Sequence, residues 1–328
     1  MHIRRLINLL PPIIVRLSRA LGFKTFCSVG GTTTLMELNH STENPKVSVP
    51  AKISNRITLE NVVIDLKAGH CFDAEYSVIE ETSSWPSKDL TKGTIPRPIV
   101  TPQIFHLDRF GVALPSNGFY HWLIEDLPLA IEMLEEEKSA KVLIYKNAPK
   151  YVMDFLKSFH IDFEEFPRFS KFTQLSLPIR KQVVGEPTIS DMSRLRDFFG
   201  PKLRKQLMHE KVYISRLKSN RSPIFEKSLQ GQLSSQGWRI VYLEELTLVD
   251  QFSIFKNASS IAGIHGAGLS GLVFAEPGTT IFEMYPYERD IKCFENLARV
   301  TGQRITRIPF ASDSSQVPIE IISSLNQI

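Results

Sequence analysis

The sequence predicts an α/β protein of two Rossmann-like domains with a β-rich N-terminal region. Three observations carry this. The chain has 328 residues, enough for about two domains of ordinary size. From Lys211 onward, short apolar runs and helical stretches alternate about five times, the pattern of a parallel sheet covered on both faces. Gly266-Ala-Gly268-Leu-Ser-Gly271 then follows one such strand directly and opens a helix, in the spacing G-x-G-x-x-G.

Composition sets the outer bounds. Hydrophobic residues make up 42% and charged residues 23%, as in globular proteins. Lys and Arg number 39 against 35 Asp and Glu, a net charge of +4. That balance is too mild for a nucleic-acid partner, and no aromatic-basic motif or zinc-finger spacing supports one. The cysteines Cys27, Cys71 and Cys293 are scattered and odd in number, so neither a disulfide framework nor a cysteine metal site is expected. A reducing, cytoplasmic setting is the default. Three Asn-x-Ser sequons, at Asn39, Asn220 and Asn257, argue only weakly for secretion.

Residues 1–25 form a basic amphipathic segment. Arg4, Arg5, Arg16, Arg19 and Lys24 are spread among Leu and Ile, and Pro11-Pro12 and Arg16 break the apolar run a signal peptide needs. The segment is too charged to span a bilayer. A first helix docked on the domain, or a peripheral contact with an anionic membrane through residues 2–24, are the two readings.

Residues 26–190 read as the first α/β domain. Short β segments with proline-rich turns come first, with Ile57–Leu66 a clear strand and Ile99–Leu107 a candidate. A helix is expected from about Gly118 to Glu137, a strand at Lys141–Tyr145, a helix at Lys150–Phe159, and strands near Phe163–Phe166 and Gln174–Leu177. Residues 191–210 look helical and basic and are expected to link the domains.

Residues 211–328 read as a Rossmann-like nucleotide-binding domain. Strands are expected at Lys211–Arg216, Gly237–Leu243, Ser260–Ile264, Thr279–Tyr285 and Gln303–Ile308. Helices are expected at Ile224–Gln236, Leu248–Asn257, Leu269–Ala275 and Asp290–Thr301.

The glycine-rich loop lets backbone approach a phosphate, and a helix N-terminus offers N–H groups to it. A nicotinamide-dependent oxidoreductase is the first alternative, with Glu283 placed like a ribose-binding acid. Against it, the loop comes after three strands instead of in the first βαβ unit. Its helix also stops at Pro277-Gly278, and His265 precedes the first glycine. Glycines needed only for a tight turn are the bland alternative.

Several stretches together carry a family resemblance. These are Val212-Tyr-Ile-Ser-Arg216 with Arg221 and Glu226, then Gly237–Leu246, then Ile261-Ala-Gly-Ile-His-Gly-Ala-Gly-Leu269. Phe274–Thr279, Ile281-Phe-Glu283 and, in the first half, Tyr120-His-Trp-Leu-Ile-Glu-Asp-Leu-Pro128 follow the same pattern. Over residues 115–290 or so the chain resembles glycosyltransferase family 61. It departs from that family at Phe225, where Asn is frequent, and at Ser270-Gly271, where Thr-Asn is frequent.

The resemblance implies a GT-B-like fold and inverting transfer from a nucleoside diphosphate sugar, usually a UDP-sugar. Members of that family act on glycans, glycoproteins or bacterial surface polysaccharides. The few cysteines and the lack of a signal-anchor pattern favour a bacterial, cytoplasmic member that works on a glycan or lipid-linked glycan in capsular or exopolysaccharide synthesis, with residues 2–24 suited to the inner face of the membrane. A nucleotide-sugar-binding assembly protein without catalysis is the non-enzymatic alternative.

The chemistry needs a stabilised diphosphate and a base for the acceptor hydroxyl. No Asp-x-Asp strand end stands out, so metal-independent stabilisation by fixed cations and N–H groups is expected. Donor-binding candidates are Arg216, Arg221, His265, Gly266, Ala267, Gly268, Leu269 and Glu283. Arg216 and Arg221 suit bidentate phosphate bonds. His265 is read as a phosphate or nucleobase contact and Glu283 as a ribose contact or a loop cap.

Candidates for the base are His121, Glu125 and Asp126. On a regular helix Asp126 falls inside the apolar arc of Leu123, Leu127, Ala130, Ile131 and Leu134, where burial favours its protonated form. His121 and Glu125 share the opposite face with Glu132. The family pattern favours these two, the helical wheel favours Asp126, and Pro128 can shift the register.

Overall fold

The structure is a computed structural model. It describes residues 47–48, 56–73, 78–79, 98, 102–106, 111–114, 118–137, 140–178, 185–204, 210–219 and 221–326. The expectations for residues 1–25, Cys27, Asn39 and Asn220 fall outside the described residues. No helix among the described residues is long and apolar enough to cross a membrane. The chain divides into two compact units. One holds residues 1–117 and 125–184, the other residues 118–124 and 185–328.

The first unit is built on an eight-stranded mixed sheet. Its strands are β1 (Val47–Ser48), β2 (Arg56–Asp65), β3 (His70–Phe72), β4 (Ile104–Phe105), β5 (Gly111–Ala113), β6 (Lys141–Tyr145), β7 (Phe163–Phe166) and β8 (Phe169–Pro178). The main order is β1-β2-β8-β5-β6-β7, with β3 on β2 and β4 on β8. Pairing is antiparallel among β1, β2, β3 and β8 and parallel from β8 through β7. Thus the β-rich beginning and the later α/β alternation meet in one sheet.

Leu59, Val62, Ile64, Leu143, Phe166, Phe172 and Leu175 form its core. The corner at β7–β8 is tied by a fork. Arg168 gives Nε to Asp65 Oδ1 at 3.0 Å and a terminal nitrogen to Oδ2 at 2.8 Å, and Asp65 is wholly buried.

His70 lies beside this pair. Burial, outweighing the pull of the Asp65 carboxylate, holds its imidazole below the ordinary value of 6.5, and Arg168 adds to the lowering. The unfolded chain therefore takes up this proton first as pH falls. Stability is full above about pH 6.5 and declines below it, until the folded-state imidazole also titrates. Urea unfolding between pH 8 and 5 checks this, and His70→Gln is expected to flatten that part of the profile.

The helix expected from Gly118 is two elements. His121–Asp126 is a π-helical turn and α1 follows at Leu127–Glu136, with Pro128 in its first turn. In a regular helix Pro128 would withhold an N–H from the Ile124 carbonyl and press its ring against that oxygen. The wider i→i+5 turn before it relieves that conflict. The unit boundary falls inside this turn, after Ile124. The strand expected over Ile99–Leu107 is limited, among described residues, to Ile104–Phe105. Helix α2 (Lys150–Ser158) lies where the sequence predicts it.

The second unit carries an all-parallel five-stranded sheet of order β10-β9-β11-β12-β13. The strands are β9 (Glu210–Ile214), β10 (Arg239–Val241), β11 (Ala258–Ile264), β12 (Thr280–Pro286) and β13 (Arg304–Phe310). Its helices are α3 (Ile189–Phe199), α4 (Glu226–Ser235), α5 (Leu248–Asn257), α6 (Cys293–Thr301) and α7 (Ile319–Leu325).

The central strand β11 is buried along nearly its whole length, as both-face coverage requires. Tyr213, Phe225, Leu229, Leu233, Trp238, Phe282 and Ile308 form one core. Thr247 caps α5 by accepting from the Asp250 N–H at 3.2 Å, and Gly302 ends α6 in the left-handed region at φ 79°.

The segment 191–210, expected as a linker, belongs to the second unit as far as it is described. Arg196 of α3 donates to the carbonyls of Val273 at 2.6 Å and Ala275 at 2.7 Å. The division between units lies at Val184/Gly185. Helix α7 was not anticipated, and the helix expected at Leu269–Ala275 is a 3-10 helix over Ala267–Phe274.

Candidate functional site

The chain runs from β9 to β10 on one side, then crosses to β11 on the other side of β9. Between the C-terminal ends of β9 and β11 lies the switch point where open parallel sheets bind ligands. Two loops meet there, residues 215–219 and 221–222 after β9 and 265–268 after β11.

The first loop is held by Glu226, at the start of α4 and fully buried. Its Oε1 accepts from the Arg216 N–H at 2.5 Å and the Tyr213 hydroxyl at 3.1 Å, with Ser215 and Gln230 at 3.4 Å. Its Oε2 accepts from the Ser222 hydroxyl at 2.6 Å. One carboxylate thus ties both ends of the loop. Burial first, then the Glu226 charge, pushes the Tyr213 phenol well above its usual value, so it stays a donor. Phe225, at the departure from the family pattern, is buried and packs edge-on against Phe310, ring centres 5.2 Å apart.

Arg216 leaves this loop half-buried and donates to the His265 carbonyl. Burial first, then repulsion from the Arg221 guanidinium, lowers its pKa, and Arg289 contributes in the same sense. Three guanidinium groups therefore share one field at the sheet edge. Arg221 and Arg289 are exposed. An arginine keeps its charge under such pressure, so the cluster is a ready partner for an anion.

The glycines have separate reasons. A Cβ on Gly266 would lie 2.9 Å from Arg216 Cζ, so backbone and guanidinium are in close approach. Gly268 faces Leu243, where a Cβ would sit 3.2 Å from Cδ1. A Cβ on Gly271 would stand 2.3 Å from two carbons of the Phe255 ring, which makes this glycine a packing residue. Leu269, expected to contact the donor, is buried and its N–H donates to the Gly266 carbonyl at 2.9 Å. The N–H groups of Ala267 and Gly268 precede this first helical bond and stand at the N-terminal side of the 3-10 turn.

His265 is fixed at several points. Its N–H donates to the Met284 carbonyl at 2.7 Å, and its Nδ1 lies 2.6 Å from Glu283 Oε1. Its ring meets Phe294 edge-on at 5.2 Å. Glu283 is fully buried, and its other oxygen accepts from Arg307 Nε at 2.8 Å. Glu283 is thus held between His265 and Arg307, one on each oxygen.

The boundary between the units falls among the three base candidates, which share one π-helical turn. His121 is half-buried in the second unit, its ring 5.5 Å from Tyr120. Tyr120 donates to the Cys293 carbonyl at 3.4 Å and its ring stands edge-on to Phe294 at 5.4 Å. Glu125 and Asp126 are in the first unit and both are buried. Glu125 does not lie on a solvated face, because the π-helical turn breaks the 3.6-residue wheel that put it there. Asp126 and burial together push the Tyr151 phenol up to about 12, burial being the larger cause.

Arg289, Arg307 and the roles of Tyr120 and Glu226 were not anticipated. Arg307 is the register partner of Glu283 across β12 and β13, where opposite charges on one face attract, and that pairing is visible only once the register is known.

An open, all-parallel α/β sheet with a basic loop at its switch point is what this unit presents. Residues 119–282, half of the chain, match the Glycosyltransferase 61 family model, and the chain belongs to that family.

Among curated proteins, it is 35% identical over 97 residues to the EGF domain-specific O-linked N-acetylglucosamine transferase of Drosophila melanogaster. That match covers 28% of this chain and 18% of the relative. It is 35% identical over 86 residues to the Beta-1,2-xylosyltransferase of Arabidopsis thaliana, covering 26% and 16%. The chain thus matches less than a fifth of the length of these relatives. Among solved structures, the iron-containing heptosyltransferase TibC aligns with 71% of this chain and 76% of its own at 13% identity. The TM-score is 0.31, too loose a likeness to define the fold.

Proposed function

We propose that the chain is an inverting glycosyltransferase of GT-B-like arrangement that uses a nucleoside diphosphate sugar, a UDP-sugar in the first instance. The observation that carries this reading is the Arg216 guanidinium, braced on the His265 carbonyl beside Gly266, with Arg221 and Arg289 in the same field. In the reaction, the bond from the anomeric carbon to the diphosphate breaks as the bond to the acceptor oxygen forms. Negative charge grows on the leaving diphosphate, where fixed guanidiniums and the N–H groups of Ala267 and Gly268 act most strongly. The acceptor proton passes to a base drawn from His121, Glu125 and Asp126.

The two relatives are named for transfer of N-acetylglucosamine and xylose, so these are the first sugars to try. The acceptor in this proposal is a glycan or lipid-linked glycan of a surface polysaccharide. Residues 2–24 suit a peripheral contact at the inner face of an anionic membrane.

Thermal unfolding with UDP, GDP, CMP, ADP or NAD, in EDTA, tests the reading. A nucleoside diphosphate at about 100 times its Kd adds about 2.7 kcal/mol of stability. Arg216→Ala is expected to remove that gain and Arg221→Ala to reduce it. Stabilisation by NAD alone, or by none of the ligands, would sink the proposal. Release of UDP from UDP-N-acetylglucosamine or UDP-xylose then measures turnover.

A further inference from the structure

Arg307 lies on β13, beyond the segment that matches the family model. Its side chain is only 12% exposed, which rules it out as a broad ligand contact. It nevertheless ties together two parts of the sheet edge. Nε donates to Glu283 Oε2 at 2.8 Å, one terminal nitrogen donates to Asp290 Oδ1 at 2.6 Å, and the other to the Ile291 carbonyl at 3.0 Å. Its guanidinium also lies over the Tyr285 ring, 4.1 Å from the centre. One arm of this fork leads through Glu283 to His265. The other anchors the turn next to Arg289, one of the three guanidiniums of the proposed donor site.

The chemistry of the pair fixes the imidazole. Glu283 faces an arginine donor, so it is an ionised, acceptor-only carboxylate. The nitrogen 2.6 Å from it must then carry a hydrogen. In the neutral ring this is the Nδ1–H tautomer, with the lone pair on Nε2. An acidic partner on the far nitrogen commonly orients a functional histidine in this way.

We propose that Arg307 and Glu283 are positioning residues for the donor site. They set the tautomer of His265 so that Nε2 is its ligand-facing atom, and they hold the turn that carries Arg289. This rests on the donor-site reading given above, but its first consequence can be measured without a ligand.

Glu283→Gln makes a specific demand. Arg307 Nε–H still requires an oxygen, so the new amide presents its oxygen to Arg307 and its NH2 to His265. Nδ1 becomes the acceptor and the proton moves to Nε2. In the full-length protein labelled with 15N-histidine, at a pH where the ring is neutral and with His265→Gln used for assignment, wild type is expected to show Nδ1–H and Glu283→Gln to show Nε2–H. A protein in which Glu283 were only packing would show no reversal.

Titration with UDP reads the second consequence. Arg307→Ala is expected to weaken binding about tenfold, on the scale of losing an orienting partner. Arg307→Lys, which keeps the charge but not the fork, is the variant to use if the alanine does not fold, and it too is expected to bind UDP more weakly. An Nε2–H ring in wild type, an unchanged tautomer in Glu283→Gln, or wild-type UDP affinity in a folded Arg307 variant would overturn the proposal. If wild type binds no UDP while the tautomer reverses as expected, the donor-site reading falls and the positioning of His265 stands.

Discussion

Glu226→Ala is expected to lower unfolding stability by about 3–5 kcal/mol, the range seen when a buried, hydrogen-bonded charge network loses its centre. Glu226 is fully buried, and Tyr213, Ser215, the Arg216 N–H, Ser222 and Gln230 all point hydrogens at it. An alanine removes the acceptor and leaves several donors in a dry site, at about 1–3 kcal/mol for each that finds no water. Gln230 also donates to Ser215 and accepts from Tyr242, so part of the network can close on itself.

Glu226→Gln separates charge from hydrogen bonding. Its amide oxygen can serve Tyr213 and the Arg216 N–H, and its NH2 can donate to Ser222, whose hydroxyl rotates to accept. The expected loss is therefore smaller, about 1–2 kcal/mol. Urea unfolding measures both. A loss below about 1 kcal/mol for the alanine would show that the carboxylate does not organise the loop. Nucleotide affinity should fall in Glu226→Ala, because the Arg216 backbone is bound directly to the group removed, and fall less in Glu226→Gln, whose amide oxygen still accepts from it.

Legibility in the sequence followed the range of the interaction. Helix α5 was readable to the residue, since Thr247 is a local cap before an apolar repeat. The strands of the second unit were readable because each is a short apolar run stopped by polar or glycine residues. The π-helical turn was not. Pro128 signals a conflict in the helix, but local sequence does not say whether a kink, a break or a wider turn relieves it. For that reason the helical wheel set Glu125 on the wrong face.

The candidate site divides in the same way. Arg216, Arg221, His265 and the glycine loop follow strands directly, so the strand pattern alone brings them to one edge. What holds them depends on pairs distant in sequence: Glu283 with Arg307 across a strand register, and Arg216 with the His265 carbonyl between two loops. Periodicity carries no information about such pairs.

The spacing G-x-G-x-x-G also hid a difference that Gly271→Ala and Gly266→Ala should expose. At Gly271 the added methyl would stand 2.3 Å from two ring carbons of Phe255, which is buried on α5. Neither the ring nor the 3-10 helix can yield cheaply, so Gly271→Ala is expected to cost about 3 kcal/mol, the upper part of the overpacking range. Phe255→Leu makes room, and the double variant should be more stable than the two separate losses predict.

At Gly266 the methyl meets only the tip of Arg216, a flexible side chain that can swing away. Gly266 also has extended backbone that any residue adopts, at φ 167°. Gly266→Ala should therefore cost less than about 1 kcal/mol of stability while displacing the guanidinium and weakening UDP binding. Chemical denaturation and UDP titration of both variants decide the matter. The expected result is a stability loss for Gly271→Ala and a binding loss for Gly266→Ala. If Gly271→Ala were stable but blind to UDP, the third glycine would be a phosphate-binding residue after all, and its contact with Phe255 would be incidental.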